Sequence, residues 1–515
     1  MATTQGRRAV DGGNPPVRGS RLIYPLVFVV GSASLCAEIA SARLLAPYFG
    51  ASTIIWANTI ATVLLALSAG YALGGRLADR RGDVAGLCVI VLIAAVLLAL
   101  VPVLADPFLR LSVSALGSLS VGGFLGSLVA VLVLVAVPVL LLGAVAPYAN
   151  RLTVESVGQT GTVTGRLYAI STTGSLVGTF LSALLLIPLI GTHRTFLVFA
   201  LGLAVIATAG LRSRWGWLVP LGIAAMMALP APVIGADVAG GKVIFEAETQ
   251  YQYARVVQFR SGVRWLQLNE GVAIHSLYRP GSYLTGGYWD DFLTLPLANG
   301  RAVPRRIAIL GDAAGSIARA YGHFFPATRV DAVELDGELT TIGRRYFGLR
   351  GRNLHLYTAD ARPWLASRAA RYGAIFVDAY RQPYIPFYLV TKEFFALVRA
   401  HLQPGGEVIV NVGHLPNSGS LEQVVTATLR SVFPYVIRDR FSDTNSLVEA
   451  SASPLTGSHL LTAAGAMPPI LDGLGAAVAS RLEAAVHGGS VYTDDRAPVE
   501  WLTDLSILRY AGGSR

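Results

Sequence analysis

The chain has 515 residues, enough for two or three domains, and is 53% apolar with only 14% charged residues, against about 45–50% and about 25% in soluble domains. Its net charge of +10 is unevenly spread: residues 1–236 hold 14 arginines and 6 acids, whereas the remainder holds 27 basic and 25 acidic residues. That near-neutral C-terminal part argues against nucleic acid as a partner, which needs a basic face. Cys36 and Cys88, both in apolar stretches, offer no disulfide framework or metal cluster.

A tail at 1–21 carries Arg7, Arg8, Arg18 and Arg21 and is expected on the cytoplasmic side. Residues 22–237 read as a transmembrane domain of about seven helices. Each stretch approaches the roughly 20 apolar residues that a span requires: 23–45, 53–75, 84–105, 122–147, 167–190, 194–211 and 215–236. The first run is too long for a signal-peptide core, so it is expected to stay as an anchor. Arginines 76, 80 and 81, 151 and 166, and 212 and 214 fall in alternate loops, and that bias implies a cytoplasmic N-terminus in a cell membrane. Seven spans then put the C-terminal half outside the cytoplasm. The metabolism inferred below would prefer the inside, so the side stays open at this stage.

Within the apolar half, residues 75–82 (GRLADRRG) resemble the loop between spans two and three of major-facilitator transporters, a pattern that a basic helix–helix turn also produces. Glu38 lies inside a span, where an acid is either functional or paired, with Arg43 as one candidate. Small residues between Gly165 and Thr179 suit close helix contact.

Beyond Lys242 the pattern changes. VIFEAET, YARVVQF and WLQLNE predict a small β-meander within 242–300. From 301 to 515, RRIAIL, RVDAVEL, LHLYTAD, YGAIFVD and GEVIVNV predict buried parallel strands separated by amphipathic helices, with YVIRDR and HLLTAA as two further strands. The fold class is thus a multi-pass α-helical membrane domain followed by an α/β Rossmann-like domain of the S-adenosylmethionine-methyltransferase type, with the meander in front.

In such sheets ligands bind outside the carboxyl ends of the strands. Gly311-Asp-Ala-Ala-Gly315 follows the first strand, and Glu334, Asp360 and Asp378 end the second, third and fourth. A close glycine turn followed about 20 residues later by a ribose-binding acid suits a nucleotide or nucleoside. Ala313 leaves little room for a pyrophosphate, which favours an adenosine without phosphates.

These residues give the C-terminal half a resemblance to spermidine synthases, the polyamine aminopropyltransferases, and in particular to the membrane-fused bacterial type. It runs through residues 248–253 (ETQYQY), 268–278 (LNEGVAIHSLY), 286–292 (GGYWDDF), 333–336 (VELD), 359–365 (ADARPWL), 377–395 and the tail segment 493–500 (TDDRAPVE). The resemblance implies transfer of an aminopropyl group from decarboxylated S-adenosylmethionine, a cosubstrate rather than a resident cofactor, to a diamine such as putrescine, with release of methylthioadenosine. It implies Asp378 as the catalytic proton acceptor. Gln252, Gly311, Gly315, Glu334 and Asp360 would hold the nucleoside, and Tyr288 and Asp290 the amine. It also implies a homo-oligomer, with the lipid bilayer as the other partner. The eight histidines are scattered, and no metal site is expected.

The sequence departs from the family pattern on the amine side. Ala314 stands where the glycine loop carries an acid, and Asp312, two residues earlier, is expected to point elsewhere. Asn269, Ala273 and Trp289 replace an Asp, a Gln and a His, and Arg381 stands near a second amine-binding Asp. The alternatives are a catalytically altered nucleoside or polyamine sensor, and a polyamine transporter with an auxiliary synthase-like domain.

Overall fold

The computed structural model describes residues 20–49, 53–80, 82–116, 122–154, 156–229, 238–269, 273–380, 384–414, 418–465 and 467–511. The N-terminal helices are α1 (Ser20–Phe49), α2 (Thr53–Arg80), α3 (Val84–Leu116), α4 (Gly122–Leu134), α5 (Ala136–Thr153), α6 (Thr160–Phe180), α7 (Ile187–Leu211) and α8 (Leu218–Ala228). A π-helical turn, Leu181–Leu186, joins α6 to α7. Glycine lets backbones touch. A Cβ on Gly178 of α6 would stand 2.2 Å from the Ser32 carbonyl oxygen of α1, and one on Gly74 of α2 would stand 2.1 Å from that of Ala144 in α5. Packing of small residues between helices, as expected for 165–179, therefore builds this bundle.

Among the described residues, four runs are long and apolar enough to cross a membrane: Leu22–Ala46, Ile55–Arg80, Val84–Ala105 and Val157–Leu211. The pair Gly126–Leu134 and Ala136–Thr153, bent by 50°, would make a fifth. The seven expected stretches are thus distributed differently. The fifth and sixth share one 55-residue run, which breaks at Gly191, where φ is 82° and ψ is 164°. The seventh becomes a shorter apolar helix, Trp215–Ala228, and its last residues, 230–236, lie outside the described ones.

The bundle has two chemically distinct ends. At one, Arg166 lies 4.5 Å over the Tyr24 ring, and Arg151 pairs with Asp79 at 3.8 Å. At the other stand Arg43, near the end of α1, and the Gly191 break. The second half of the chain docks there, on Arg43 and Thr192.

That half contains two sheets. Strands β1 (Gly241–Glu248), β2 (Tyr253–Phe259), β3 (Arg264–Leu268) and β4 (Ile274–Tyr278) form an antiparallel meander in chain order. The larger sheet uses β5 (Arg306–Leu310), β6 (Arg329–Glu334), β7 (Leu354–Thr358), β8 (Tyr372–Val377), β9 (Leu402–Gly413), β10 (Tyr435–Asp439), β11 (Asn445–Ser451) and β12 (Leu482–Ala484). Their spatial order is β12-β10-β11-β9-β8-β5-β6-β7, parallel from β9 through β7 and antiparallel beyond. Helices α9 (Ser316–Phe324), α10 (Gly337–Tyr346), α11 (Ala361–Ala366), α12 (Lys392–His401) and α13 (Ser420–Arg430) connect or flank the strands. Along β5, Ala308 and Leu310 enter one core cluster while Ile307 and Ile309 enter another. Burial on both faces explains why these strands read as unbroken apolar runs.

One local expectation fails. HLLTAA is not a strand: residues 457–464 form helix α14 (Gly457–Ala464), capped by the Thr456 hydroxyl, which accepts the His459 N–H at 3.1 Å. The strand in that region is instead β11, whose sequence NSLVEAS carries an acid in its middle.

That acid, Glu449, faces Glu407 of β9 inside the sheet core, and both are fully buried. Asn299 donates to Glu407 at 3.0 Å. Burial pushes Glu407 up to about 8, and burial with the charge of Glu407 pushes Glu449 well above the usual carboxyl range. The native pair therefore retains a proton at a pH where the unfolded chain has lost it, so stability falls as pH rises from about 4.5 toward about 8. Thermal midpoints of the detergent-solubilised protein should drop across that window. Glu449→Gln keeps a donor toward Glu407 without titrating, and should flatten part of the decline; an unchanged slope would count against the pair.

Candidate active site

The glycine loop sits between β5 and α9 and is shaped by positive φ angles: 89° at Gly311, 46° at Ala313 and 86° at Gly315. A Cβ on Gly311 would lie 2.5 Å from the Asp378 carbonyl oxygen, so only glycine lets the β5 and β8 ends close together. Gly315 caps α9 in the left-handed region.

The loop turns its amides toward the end of β6. Ala313 N–H donates to Glu334 Oε2 at 2.8 Å and Asp336 N–H donates to Oε1 at 3.0 Å. Burial outweighs these bonds and pushes Glu334 up to about 7. Asp336 caps α10 through the Glu338 N–H, and it also accepts from the Thr249 hydroxyl at 2.6 Å and the Gln252 amide at 3.5 Å. Gln252 thus meets the edge of the Glu334 site through Asp336. One strand farther out, Asp360 caps α11 and its Oδ2 accepts from Tyr388 Oη at 2.8 Å.

Asp378 lies at the end of β8 and is partly buried. Its Oδ1 accepts from Asn411 Nδ2 at 2.8 Å, and Tyr288 Oη donates at 3.2–3.3 Å. Burial raises it to about 7, against the lowering effect of both donors. Tyr380 packs close by and donates to the Asn411 carbonyl at 3.0 Å. Asn445 donates to the Asn411 side-chain oxygen at 2.9 Å, which fixes the amide with its NH₂ toward Asp378. A carboxyl poised near neutrality, held by a phenol and an amide, suits proton transfer.

The geometry changes two readings. Asp312 does not point away. It is 8% exposed, its Oδ1 has no partner among the described residues, and burial together with the charges of Glu334 and Asp378 pushes it well above the usual carboxyl range. Three carboxyl groups, one buried and two partly buried, therefore converge where Ala314 had suggested an acid was missing. The positive φ values on either side of Asp312 turn it inward; a motif register cannot show that.

Asp290 is the opposite case. Expected on the amine, it binds its own turn: Oδ1 accepts from Thr285 N–H and Oγ1, both at 2.8 Å, and Oδ2 from Gly286 N–H at 2.7 Å. It orders the segment that carries Tyr288. Asn411 and Asn445 were not singled out in the sequence, since an asparagine inside a strand run gives no motif signal. Arg381 lies outside the described residues.

No protein-family model matches the chain. A probable polyamine aminopropyl transferase of Bifidobacterium longum is 33% identical over 190 residues, covering 37% of this chain and 42% of that protein. Polyamine aminopropyltransferase 1 of Ralstonia nicotianae is 24% identical over 437 residues, 78% of both chains. The chain is thus similar to polyamine aminopropyltransferases. It spans less than half the length of the curated relatives that it matches above 30% identity. Among solved structures, a probable spermidine synthase from Corynebacterium glutamicum is 18% identical, with a TM-score of 0.37 over 50% of this chain and 98% of that one.

Gly311 offers a direct check on the site. A side chain there meets both a positive φ, worth about 1–2 kcal/mol of strain, and the Asp378 backbone. Gly311→Ala should lower the thermal midpoint and weaken nucleoside binding together, measured by scanning calorimetry and titration. Wild-type values for both would show that the β5–β8 closure tolerates a side chain.

Proposed function

We propose that the protein is a polyamine aminopropyltransferase that moves the aminopropyl group of decarboxylated S-adenosylmethionine to a diamine and releases methylthioadenosine. The observation that carries this reading is the convergence of the buried Asp312 with the partly buried Glu334 and Asp378 at the carboxyl edge of the sheet, without a salt bridge among the described residues. Such a pocket favours cationic ligands, because each unpaired buried carboxylate is costly. The donor brings a sulfonium and an ammonium, and the acceptor brings two amines.

In this reading Glu334 receives the ribose hydroxyls and Asp360 borders the adenine. Gly311 and Gly315 keep the loop close to the nucleoside, and Gln252 faces the sulfonium end. Asp312 takes the donor's ammonium. The acceptor nitrogen attacks the carbon next to sulfur, the carbon–sulfur bond breaks, and the electron pair stays on methylthioadenosine. Asp378 accepts the proton that the amine must lose, with Tyr288 and Asn411 holding its carboxylate. Asp290 acts at one remove, by ordering the turn before Tyr288.

Activity should rise with pH through about 7 as Asp378 ionises, since only the carboxylate accepts a proton. Asp378→Asn should reduce transfer to putrescine by about 10²–10⁴-fold, the usual share of a general base. Asn411→Leu removes a donor that lowers Asp378, and should move the rising limb to higher pH. Product formation followed by chromatography tests all three; an unchanged Asp378→Asn rate would remove this residue as the base.

The apolar helices support membrane attachment, and the arginine pattern supports a side. Arg151 and Arg166 lie at the bundle end opposite the docked domain. With arginines retained in the cytoplasm, the catalytic domain faces outward. Protease added to intact spheroplasts should then cut the domain; full protection until lysis would put it inside.

A further inference from the structure

The turn between β1 and β2 lies between the helical bundle and the nucleoside site and is hydrogen-bonded to both. On the bundle side, the Glu248 carboxylate accepts the Thr192 N–H at 2.7 Å and also the Thr192 hydroxyl. Thr192 directly follows the Gly191 break, so its amide is a free donor at the start of a helix that continues to Leu211. Arg43, near the far end of α1, donates to the Gln250 carbonyl. Burial raises Glu248, and the Thr192 bonds and the Arg43 charge draw it back toward the ionised form.

On the site side the same turn holds Asp336. The Thr249 hydroxyl donates to Asp336 at 2.6 Å and lies 2.9 Å from the Gln252 carbonyl, and the Gln252 amide reaches Asp336 at 3.5 Å. Asp336 in turn donates its N–H to Glu334, whose other oxygen takes the Ala313 N–H of the glycine loop. Hydrogen bonds joined through the backbone of this turn and of Asp336 therefore run from the bundle to the glycine loop. Burial raises Asp336, and its hydrogen bonds and the charge of Arg43 oppose that rise.

We propose that Arg43 and Thr192 are positioning residues for the nucleoside site: they fix the Glu248–Gln252 turn and, through Asp336, the carboxylate of Glu334. The bundle then acts as one wall of the site's support as well as a membrane anchor. This rests on the reading of Gln252 and Glu334 as nucleoside contacts. A turn anchored only within its own sheet would leave Gln252 free to swing, because Tyr251 and Gln250 beside it are exposed.

The test uses the full-length protein in nanodiscs, titrated calorimetrically with methylthioadenosine, with thermal midpoints recorded for every variant. Thr192→Val and Arg43→Gln should each weaken binding by about tenfold, the scale of one charge-assisted hydrogen bond. Arg43→Lys keeps a cationic donor and should recover most of the loss. Arg166→Gln, at the opposite end, should bind like the wild type. In turnover the KM for the decarboxylated donor should rise in the two damaging variants while the KM for putrescine holds. Wild-type affinity in folded Thr192→Val and Arg43→Gln would overturn the positioning role alone. If Arg43→Gln lost affinity and Arg43→Lys did not recover it, the charge-based account would also fall. Absence of methylthioadenosine binding by the wild type would overturn the nucleoside reading itself, and this inference with it.

Discussion

Three carboxyl groups drawn together at one sheet edge, Asp312 buried and Glu334 and Asp378 partly so, set the terms for the rest of this structure. Burial raises the proton affinity of all three, and the charge of Glu334 adds to it at Asp312 and Asp378. At an effective dielectric constant of about 20, two charges 4 Å apart repel by about 4 kcal/mol, a large share of a domain's stability. The fold tolerates this by distributing donors with care. Backbone amides of Ala313 and Asp336 serve Glu334, and neutral Asn411 and Tyr288 serve Asp378. Asp312 Oδ1 is left without one. Neutral donors steady the carboxylates without cancelling their charge. The remaining imbalance is what a cationic ligand would relieve, and substrate binding in the proposed reaction draws on it.

The sequence made the sheet legible because strands buried on both faces have to be apolar throughout, and β5, β6 and β8 are. It made the strand-end acids legible because a parallel sheet brings all its carboxyl ends to one edge. It failed where tertiary context reverses a local signal. β11 was missed because Glu449 interrupts its apolar run, an acid tolerated only through the partner Glu407 on β9, which no local window contains. HLLTAA is apolar enough for a strand, yet Thr456 supplies a helix cap and the segment turns helical.

The same logic explains the site. Asp290 sits in a motif that resembles an amine-binding triplet, but amides five residues upstream claim both its oxygens. Asp312 sits two places off the family register, and φ values of 89° and 46° on either side turn it inward. Motif position fixes which residue lies near a pocket. Backbone dihedrals and competing donors decide which oxygen is left for a ligand.

The bundle extends this argument beyond the soluble sheet. A helix broken by Gly191 exposes an amide that an unbroken helix would have used internally, and Glu248 fills it from 56 residues away. Neither half of that contact is a motif, so the sequence treated the helices and the sheet as separate units. Once they are joined, the apolar helices and the proposed nucleoside site share a boundary at the β1–β2 turn. The chain could use a simpler tether if its helices served only to hold the domain at a surface. A carboxylate capping a helix end beside a guanidinium is a stiff, orientation-specific joint, and stiffness is what a turn bordering a ribose site requires, because a misplacement of about 1 Å at a reacting centre costs about a hundredfold in rate.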